Sequence, residues 1–242
     1  MPRPIRLLSE ANVYHIVLKG INSEQIFYDD NDYITFLKVL KKSCDDYDVQ
    51  VLAYCLMNNH IHLLLKFSEN NIPQVFKSIG SSFVLRYNNK YMRTGSLFNG
   101  RYYSKAVNTD EYLLTVLKYI HFNPVSARLC ESPADWKWSS YNEYVTKTEK
   151  FCNIEFIYGI IDKSQFFELH KRVVEDIYSF LPIENSIEKL SYLQLKSVVD
   201  EMKKHFSIFD IAICLKNSGV PAYKISKLLN ISRGSAYKLK NI

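Results

Sequence analysis

The chain of 242 residues has no run of roughly 18 or more apolar residues, so no transmembrane helix is expected. Its first stretch, MPRPIRLLSEANVYHI, lacks the long apolar centre of a signal peptide. The cysteines Cys44, Cys55, Cys130, Cys152 and Cys214 are scattered, odd in number and form no close pair. That pattern argues against both a disulfide framework and a zinc knuckle. The expectation is a soluble, reduced, cytoplasmic protein without a membrane partner. Internal repeats and low-complexity tracts are also missing.

Acidic residues are scarce in two zones. Val51–Thr109 carries Lys66, Lys77, Arg86, Lys90, Arg93, Arg101 and Lys105 against the single acid Glu69. Ile211–Ile242 carries Lys216, Lys224, Lys227, Arg233, Lys238 and Lys240 and no acid at all. Each zone could be a solvated face. Two such zones, both rich in Tyr, Asn and Ser, point instead to a polyanion, with nucleic acid first among the options.

What is present supports a folded core, because 47% of the residues are hydrophobic. Residues 12–20 (NVYHIVLKG) alternate and are β-branched, which predicts a strand ended by Gly20. Residues 29–47 predict a helix with an acidic first turn. Residues 49–57 and HIHLLLKF (60–67) predict two strands joined by a turn or bulge at Asn58-Asn59. Residues 71–91 predict a helix with Pro73 in its first turn. MRTGSLFNGRYYSKAV reads as a loop. A helix follows over 109–123, capped by Thr109 or Asp110 and stopped by Pro124. Residues 135–145 (DWKWSSYNEYV) read as a packed terminal segment of this part of the chain.

This order predicts a small α+β domain, an antiparallel sheet with helices on one face. Beyond residue 148 the alternation stops and helices are expected, with a break at Leu181-Pro182. The domain reading is therefore 1–148, a helical connector 149–207, and a last segment 208–242, the latter two all-α.

Within this frame LMNNHIHLLLKF stands out. Residues i and i+2 of a strand share a face, so His60, His62 and Leu64 point one way and Ile61, Leu63 and Leu65 the other. Adjacent imidazoles on one strand face can chelate a divalent ion. The competing reading is two histidines satisfied by Asn and Tyr partners. A second feature is LKYIHFNP, where Tyr119 and Asn123 are i and i+4 on one helix face. A tyrosine oxygen is a potential nucleophile and an Asn oxygen a potential metal ligand. Among 18 tyrosines, however, one on an amphipathic helix is usually core or rim.

Taken in order, YHIVLKG, AYCLMNNHIHLLL, GSLFNGRYYS, LKYIHFNPVSARL and WKWSSYNEY resemble the single-tyrosine HUH transposases, and most of all the REP-associated tyrosine transposases. The resemblance covers about residues 8 to 146. It implies the HUH endonuclease fold, a ferredoxin-like or RRM-like antiparallel sheet. It also implies His60 and His62 as ligands of a catalytic Mg²⁺ or Mn²⁺, with Asn123 as third ligand and Tyr119 as nucleophile. The implied reaction is attack on single-stranded DNA beside a hairpin, giving a 5′-phosphotyrosine link and a free 3′-OH. A later attack by a 3′-OH rejoins the strands without a nucleotide cofactor. The FNGRYYS loop is implied to lie near DNA, with Arg101, Tyr102 and Lys105 as contacts and Tyr103 beside them. His121 is given no catalytic role. His15 is expected beside the pair across the sheet, in a structural role.

The end of the chain, PAYKISKLLNISRGSAYKLKNI, resembles a helix-turn-helix. Ile225, Leu228 and Leu229 would anchor its first helix and Ile231 plug the turn. Ser232 would cap a second helix carrying Arg233, Ser235, Tyr237 and Lys238 towards duplex DNA. Two residues depart from the common pattern: Ser226 replaces a small Ala and Asn230 the turn Gly. Asn tolerates the left-handed conformation, so the turn is expected to survive. A helical hairpin that only completes a bundle is the alternative.

Three functions stay open on sequence. The leading one is a DNA-nicking and strand-transfer transposase. The others are a domesticated hairpin-binding relative that no longer cuts, and a regulator driven by the last segment. A monomer and a homodimer are equally compatible.

Overall fold

The protein is described by a computed structural model, which covers residues 9–69, 71–147, 151–171, 192–205, 208, 211–212, 215 and 220–238. Met1–Phe166 and Phe167–Ile242 form two compact units.

The first unit is built on four antiparallel strands in the order β2-β3-β1-β4. These are β1 (Val13–Lys19), β2 (Val49–Leu56), β3 (His60–Phe67) and β4 (Tyr103–Val107). The fourth strand lies in the stretch that reads as a loop. Its alternation is weak because it is an edge strand, pairing only with β1, and it is mostly half-exposed. Lys105 and Tyr103 are therefore strand residues with a fixed face.

The helices are α1 (Asp30–Asp46), α2 (Ile72–Lys90), α3 (Asp110–Ser126), α4 (Tyr141–Thr146), α5 (Ile154–Tyr158) and α6 (Lys163–Lys171). A capping box starts α1: Asp29 accepts from the Asp32 N–H and Asp32 accepts from the Asp29 N–H. α1 and α2 pack together, with Phe27, Phe36 and Phe83 ring to ring between them. α3 adds a helix on the histidine side, against β2 and β3. This explains why β2 and β3 are buried along nearly their whole length and do not alternate.

α3 does not stop at Asn123. Pro124 lies inside it, and the helix runs on to Ser126. Proline there forgoes one backbone bond near the end of the helix, while Ala127 N–H still reaches the Asn123 carbonyl.

The first unit also runs past the change of pattern at residue 148. Buried Glu143 is the reason: it accepts from the Phe151 and Cys152 N–H groups and from the Tyr54 hydroxyl. Asn153 N–H then bonds the Val51 carbonyl of β2. Beyond residue 148 helices form as expected, α5 ending at Tyr158 and α6 starting at Lys163. The break expected at Leu181-Pro182 lies outside the described residues.

In the second unit α7 (Tyr192–His205), α8 (Ala222–Leu229) and α9 (Arg233–Lys238) share one core. Leu195, Val199, Met202, Ile225, Leu229 and Ala236 are buried in it, and Ile231 packs on it from the turn. Asn230 caps α8 in the left-handed conformation (φ 54°), as expected. Ser226 proves useful where Ala is usual: its hydroxyl donates to the Ile231 carbonyl at 2.7 Å and ties the turn shut. Ser232 Oγ accepts from the Ser235 N–H and caps α9.

Candidate active site on the histidine face

Strand register brings the site together. β1 pairs with β3 so that Val17 lies opposite His62 and Lys19 opposite His60. β1 pairs with β4 so that His15 lies opposite Lys105 and Val17 opposite Tyr103. His15, Lys19, His60, His62, Tyr103 and Lys105 thus share one face of the sheet. The β2–β3 turn that launches His60 is held from both sides. Asn58 C=O accepts from Ile26 and Phe27 N–H, and Asn59 C=O accepts from Gly20 N–H.

α3 lies across this face. Thr109 caps it by accepting from Tyr112 N–H, with Asp110 and Glu111 in the first turn. Leu113, Val116, Leu117 and Ile120 are buried, which sets the helix rotation. Tyr119 and Asn123 then meet the histidines. The Tyr119 ring stands edge-on to His62 at 5.3 Å and to His15 at 5.8 Å between centroids. Asn123 Oδ1 lies 3.2 Å from His60 Nε2. Tyr119, Asn123 and the histidines that meet here belong to one chain.

The histidines are buried and their pKa values fall, chiefly through desolvation. His60 drops to about 4, with the Lys19 charge adding to the effect, and His15 to about 3, with Lys105 adding. His62 falls well below its usual value because of burial, then its two histidine neighbours. Each ring therefore carries one N–H at neutral pH.

That single proton creates a conflict at His60. Nδ1 lies 2.6 Å from Asn59 Oδ1, and Nε2 lies 3.2 Å from Asn123 Oδ1. One N–H cannot serve both oxygens. With Nδ1–H donating to Asn59, the Nε2 lone pair faces the lone pairs of Asn123. Either a cation shared by Nε2 and the Asn123 oxygen, or a turned Asn123 amide donating its NH2 to Nε2, satisfies the pair. His62 carries a second sign of the same kind. Its Nδ1 lies 3.1 Å from His15 Nε2, while its Nε2 is buried without a hydrogen-bond partner. Such an orphaned nitrogen costs about 1–3 kcal/mol unless something binds it.

The donor set, two imidazole nitrogens and an amide oxygen, fits a divalent ion. No group of three or more His, Cys, Asp and Glu suited to a metal occurs among the described residues, so the amide of Asn123 is needed to make three donors.

Residues 9–123 match the family described as Transposase IS200 like. Over these residues the chain is similar to the IS200-like transposases. A curated REP-associated tyrosine transposase of Haemophilus influenzae is 27% identical over 126 residues, which make up 47% of this chain and 72% of that protein. A solved structure of a REP-associated tyrosine transposase bound to a REP hairpin aligns with a TM-score of 0.52 at 17% identity, covering 61% of this chain and 87% of that one. At that identity the likeness is one of fold: a four-stranded antiparallel sheet with helices, followed in this chain by further helices.

The other residues singled out on sequence divide. Lys105 is on the histidine face of the IS200-like domain, with its ammonium 4.6 Å from the Tyr112 ring centre. Arg101 is exposed ahead of β4, with its guanidinium 5.3 Å from the Tyr102 ring centre. Tyr102 itself is not brought to the site; it packs on Phe76 of α2 at 4.2 Å, on the other side of the sheet. Its neighbour Tyr103, 50% exposed, is the tyrosine that strand alternation turns towards the histidines. His121 is fully buried on another side of α3, bonded to Ser140 Oγ at 2.9 Å. Ser235 is exposed on α9, and Arg233, Tyr237 and Lys238 are described there by backbone only.

Sequence reasoning missed Lys19 and understated His15. Both lie in YHIVLKG, and the period-2 rule applied to β1 would have put them on one face. The register against β3 needed the sheet.

Proposed function

We propose that this protein is a metal-dependent DNA-nicking and strand-transfer enzyme acting on single-stranded DNA beside hairpins. The observation that carries the reading is the packing of Tyr119 against His15 and His62 of its own chain, with His60 and Asn123 in contact alongside.

Tyr119 is the nucleophile. Its phenolic oxygen attacks the phosphorus, the bond from phosphorus to the 3′ oxygen breaks, and a 5′-phosphotyrosine and a 3′-OH result. The phenolic proton leaves the tyrosine oxygen and a proton arrives on the departing 3′ oxygen. The half-buried ring on a capped helix, wedged against two imidazoles, limits the directions from which the oxygen can approach. His60, His62 and Asn123 would hold Mg²⁺ or Mn²⁺. When bound, that ion supplies Lewis-acid polarisation of the scissile phosphate. His15 keeps the His62 proton on Nδ1 by accepting it, which leaves Nε2 available as a donor atom. Arg101 and Lys105 supply cations for the DNA backbone, and Tyr103 an aromatic surface for an unstacked base.

The acid-poor α8–α9 hairpin adds a second contact, to duplex DNA. What favours it is the helix-turn-helix geometry, with Asn230 left-handed and Ser232 as cap. The relative bound to a REP hairpin supports the choice of hairpin substrate.

The test is a covalent-adduct assay. Labelled single-stranded DNA bearing the hairpins that flank the gene is incubated with protein and Mg²⁺ or Mn²⁺, then run on a denaturing gel. A metal-dependent band, lost in Tyr119→Phe and His62→Ala, is the expected result. Tight hairpin binding with no band would favour the non-cutting relative. Duplex binding that survives removal of residues 1–148 would favour the regulator.

A further inference from the structure

Lys19 is the last residue of β1 and stands directly opposite His60. Directly opposed residues of an antiparallel pair have Cβ atoms about 4.5–5.5 Å apart on the same face. The contact between His15 and His62 identifies that face as the one α3 covers. Lys19 therefore projects from the same sheet face as the histidines, next to His60.

Its root is held firmly. The Lys19 carbonyl accepts from the Asn99 N–H at 2.8 Å, and the next residue, Gly20, donates to the Asn59 carbonyl at 2.9 Å. A Cβ at Gly20 would sit 2.2 Å from the Glu24 carbonyl oxygen, so only glycine allows the chain to pass there. The turn that carries Asn59 also bonds His60. Lys19 and His60 are thus fixed relative to each other through one small piece of backbone. The side chain is half-buried, unlike that of a solvated surface lysine.

Charge supplies the rest. His60, His62, Asn123 and Tyr119 are all neutral groups. Two lysines flank them on this face, Lys105 opposite His15 and Lys19 opposite His60. A phosphodiester brought to Tyr119 gains negative charge as the fifth oxygen bonds, and Lys19 adds a protein cation on the His60–Asn123 side beside the divalent ion held there.

Building on the reading of Tyr119 as nucleophile, we infer that Lys19 is a catalytic residue that contacts a non-bridging oxygen of the scissile phosphate. It acts in its ammonium form, although burial lowers its pKa from the usual lysine value. Its contribution is a fixed positive charge at the oxygen whose charge grows in the transition state.

The experiment uses the full chain and single-turnover adduct formation at saturating hairpin DNA with Mn²⁺. Lys19→Gln and Lys19→Met, which keep a stem and remove the charge, are compared with Lys19→Arg. Losing one oxyanion donor is expected to slow the step about 10²- to 10³-fold, with Arg recovering most of the rate. Hairpin affinity measured without divalent ion should change far less than the rate. The same variants are then given a strand whose scissile phosphate is a neutral methylphosphonate, each diastereomer separately. On that strand the penalty for losing Lys19 should largely vanish, because the charge it meets is gone. An unchanged rate in Lys19→Gln and Lys19→Met would overturn the inference. So would an equal penalty on both strands, which would mark Lys19 as a prop for the end of the sheet. Adduct formation persisting in Tyr119→Phe would instead sink the reading of the nucleophile, so the two failures are separable.

Discussion

His15 Nε2 lies 3.1 Å from His62 Nδ1, with the two rings stacked at 22°. One proton lies in this contact, and the nitrogen that carries it decides whether His62 Nε2 bears an N–H or a lone pair. With Nδ1–H donating to His15, the buried Nε2 carries a lone pair and lacks any other partner. His15→Phe keeps ring volume and removes the acceptor. Outer partners of this kind are worth about 10- to 100-fold in metal affinity. Mn²⁺ titration followed by electron paramagnetic resonance should show that loss, with the circular dichroism spectrum unchanged. An unaltered Mn²⁺ affinity would remove His15 from the account.

Metal binding should register as stability. A ligand at about 100 times its dissociation constant stabilises the folded state by about 2.7 kcal/mol. Mn²⁺ is therefore expected to raise the melting temperature of the wild-type chain, and a chelator to reverse the rise. His60→Ala and Asn123→Leu should show little response. A similar rise in both variants would place the ion elsewhere.

Tyr102 and Tyr103 should behave oppositely. Tyr103→Ala removes an exposed ring on the histidine face. It is expected to weaken single-strand binding by about 1–3 kcal/mol, the worth of one stacked base, without lowering stability. Tyr102→Ala opens space against Phe76 and is expected to lower the melting temperature while leaving affinity for DNA nearly intact. Fluorescence anisotropy and thermal melting on the same samples decide the matter, and equal effects on affinity would contradict the assignment.

Glu143 is the main tie between α4 and the chain after residue 150. Replacing it by Leu strands the buried Cys152 N–H and the half-buried Phe151 N–H, and also removes the partner of the Tyr54 hydroxyl. A loss of about 2–4 kcal/mol is expected, from about 1–3 kcal/mol per fully buried group. Urea unfolding measures it. A loss below about 1 kcal/mol would mean that the segment re-forms bonds with water.

Strands β1 and β3 were legible because their core face is apolar at every second residue, and α3 because its cap and apolar spacing agree. β4 was not, because an edge strand with one partner needs little apolar alternation. The same gap left Tyr102 and Tyr103 equivalent on sequence: only the pairing of Tyr103 with Val17 in β4 turns it to the histidine face, while Tyr102 packs on Phe76. Pro124 misled for a related reason. A proline read as a stop is tolerated near a helix end, where one missing bond costs little once the flanking turns are packed.

By itself, the sequence determined which residues share a face: His60 and His62 on one strand face, Tyr119 and Asn123 on one helix face, with Asn230 suited to the left-handed turn. These follow from local periodicity, which depends only on backbone geometry. The tertiary structure decided that the two faces meet within one chain, that His15 contacts His62, and that Lys19 stands opposite His60. Those relationships depend on strand register and helix rotation. Both are settled by the burial of residues far apart in the chain, which no local pattern records.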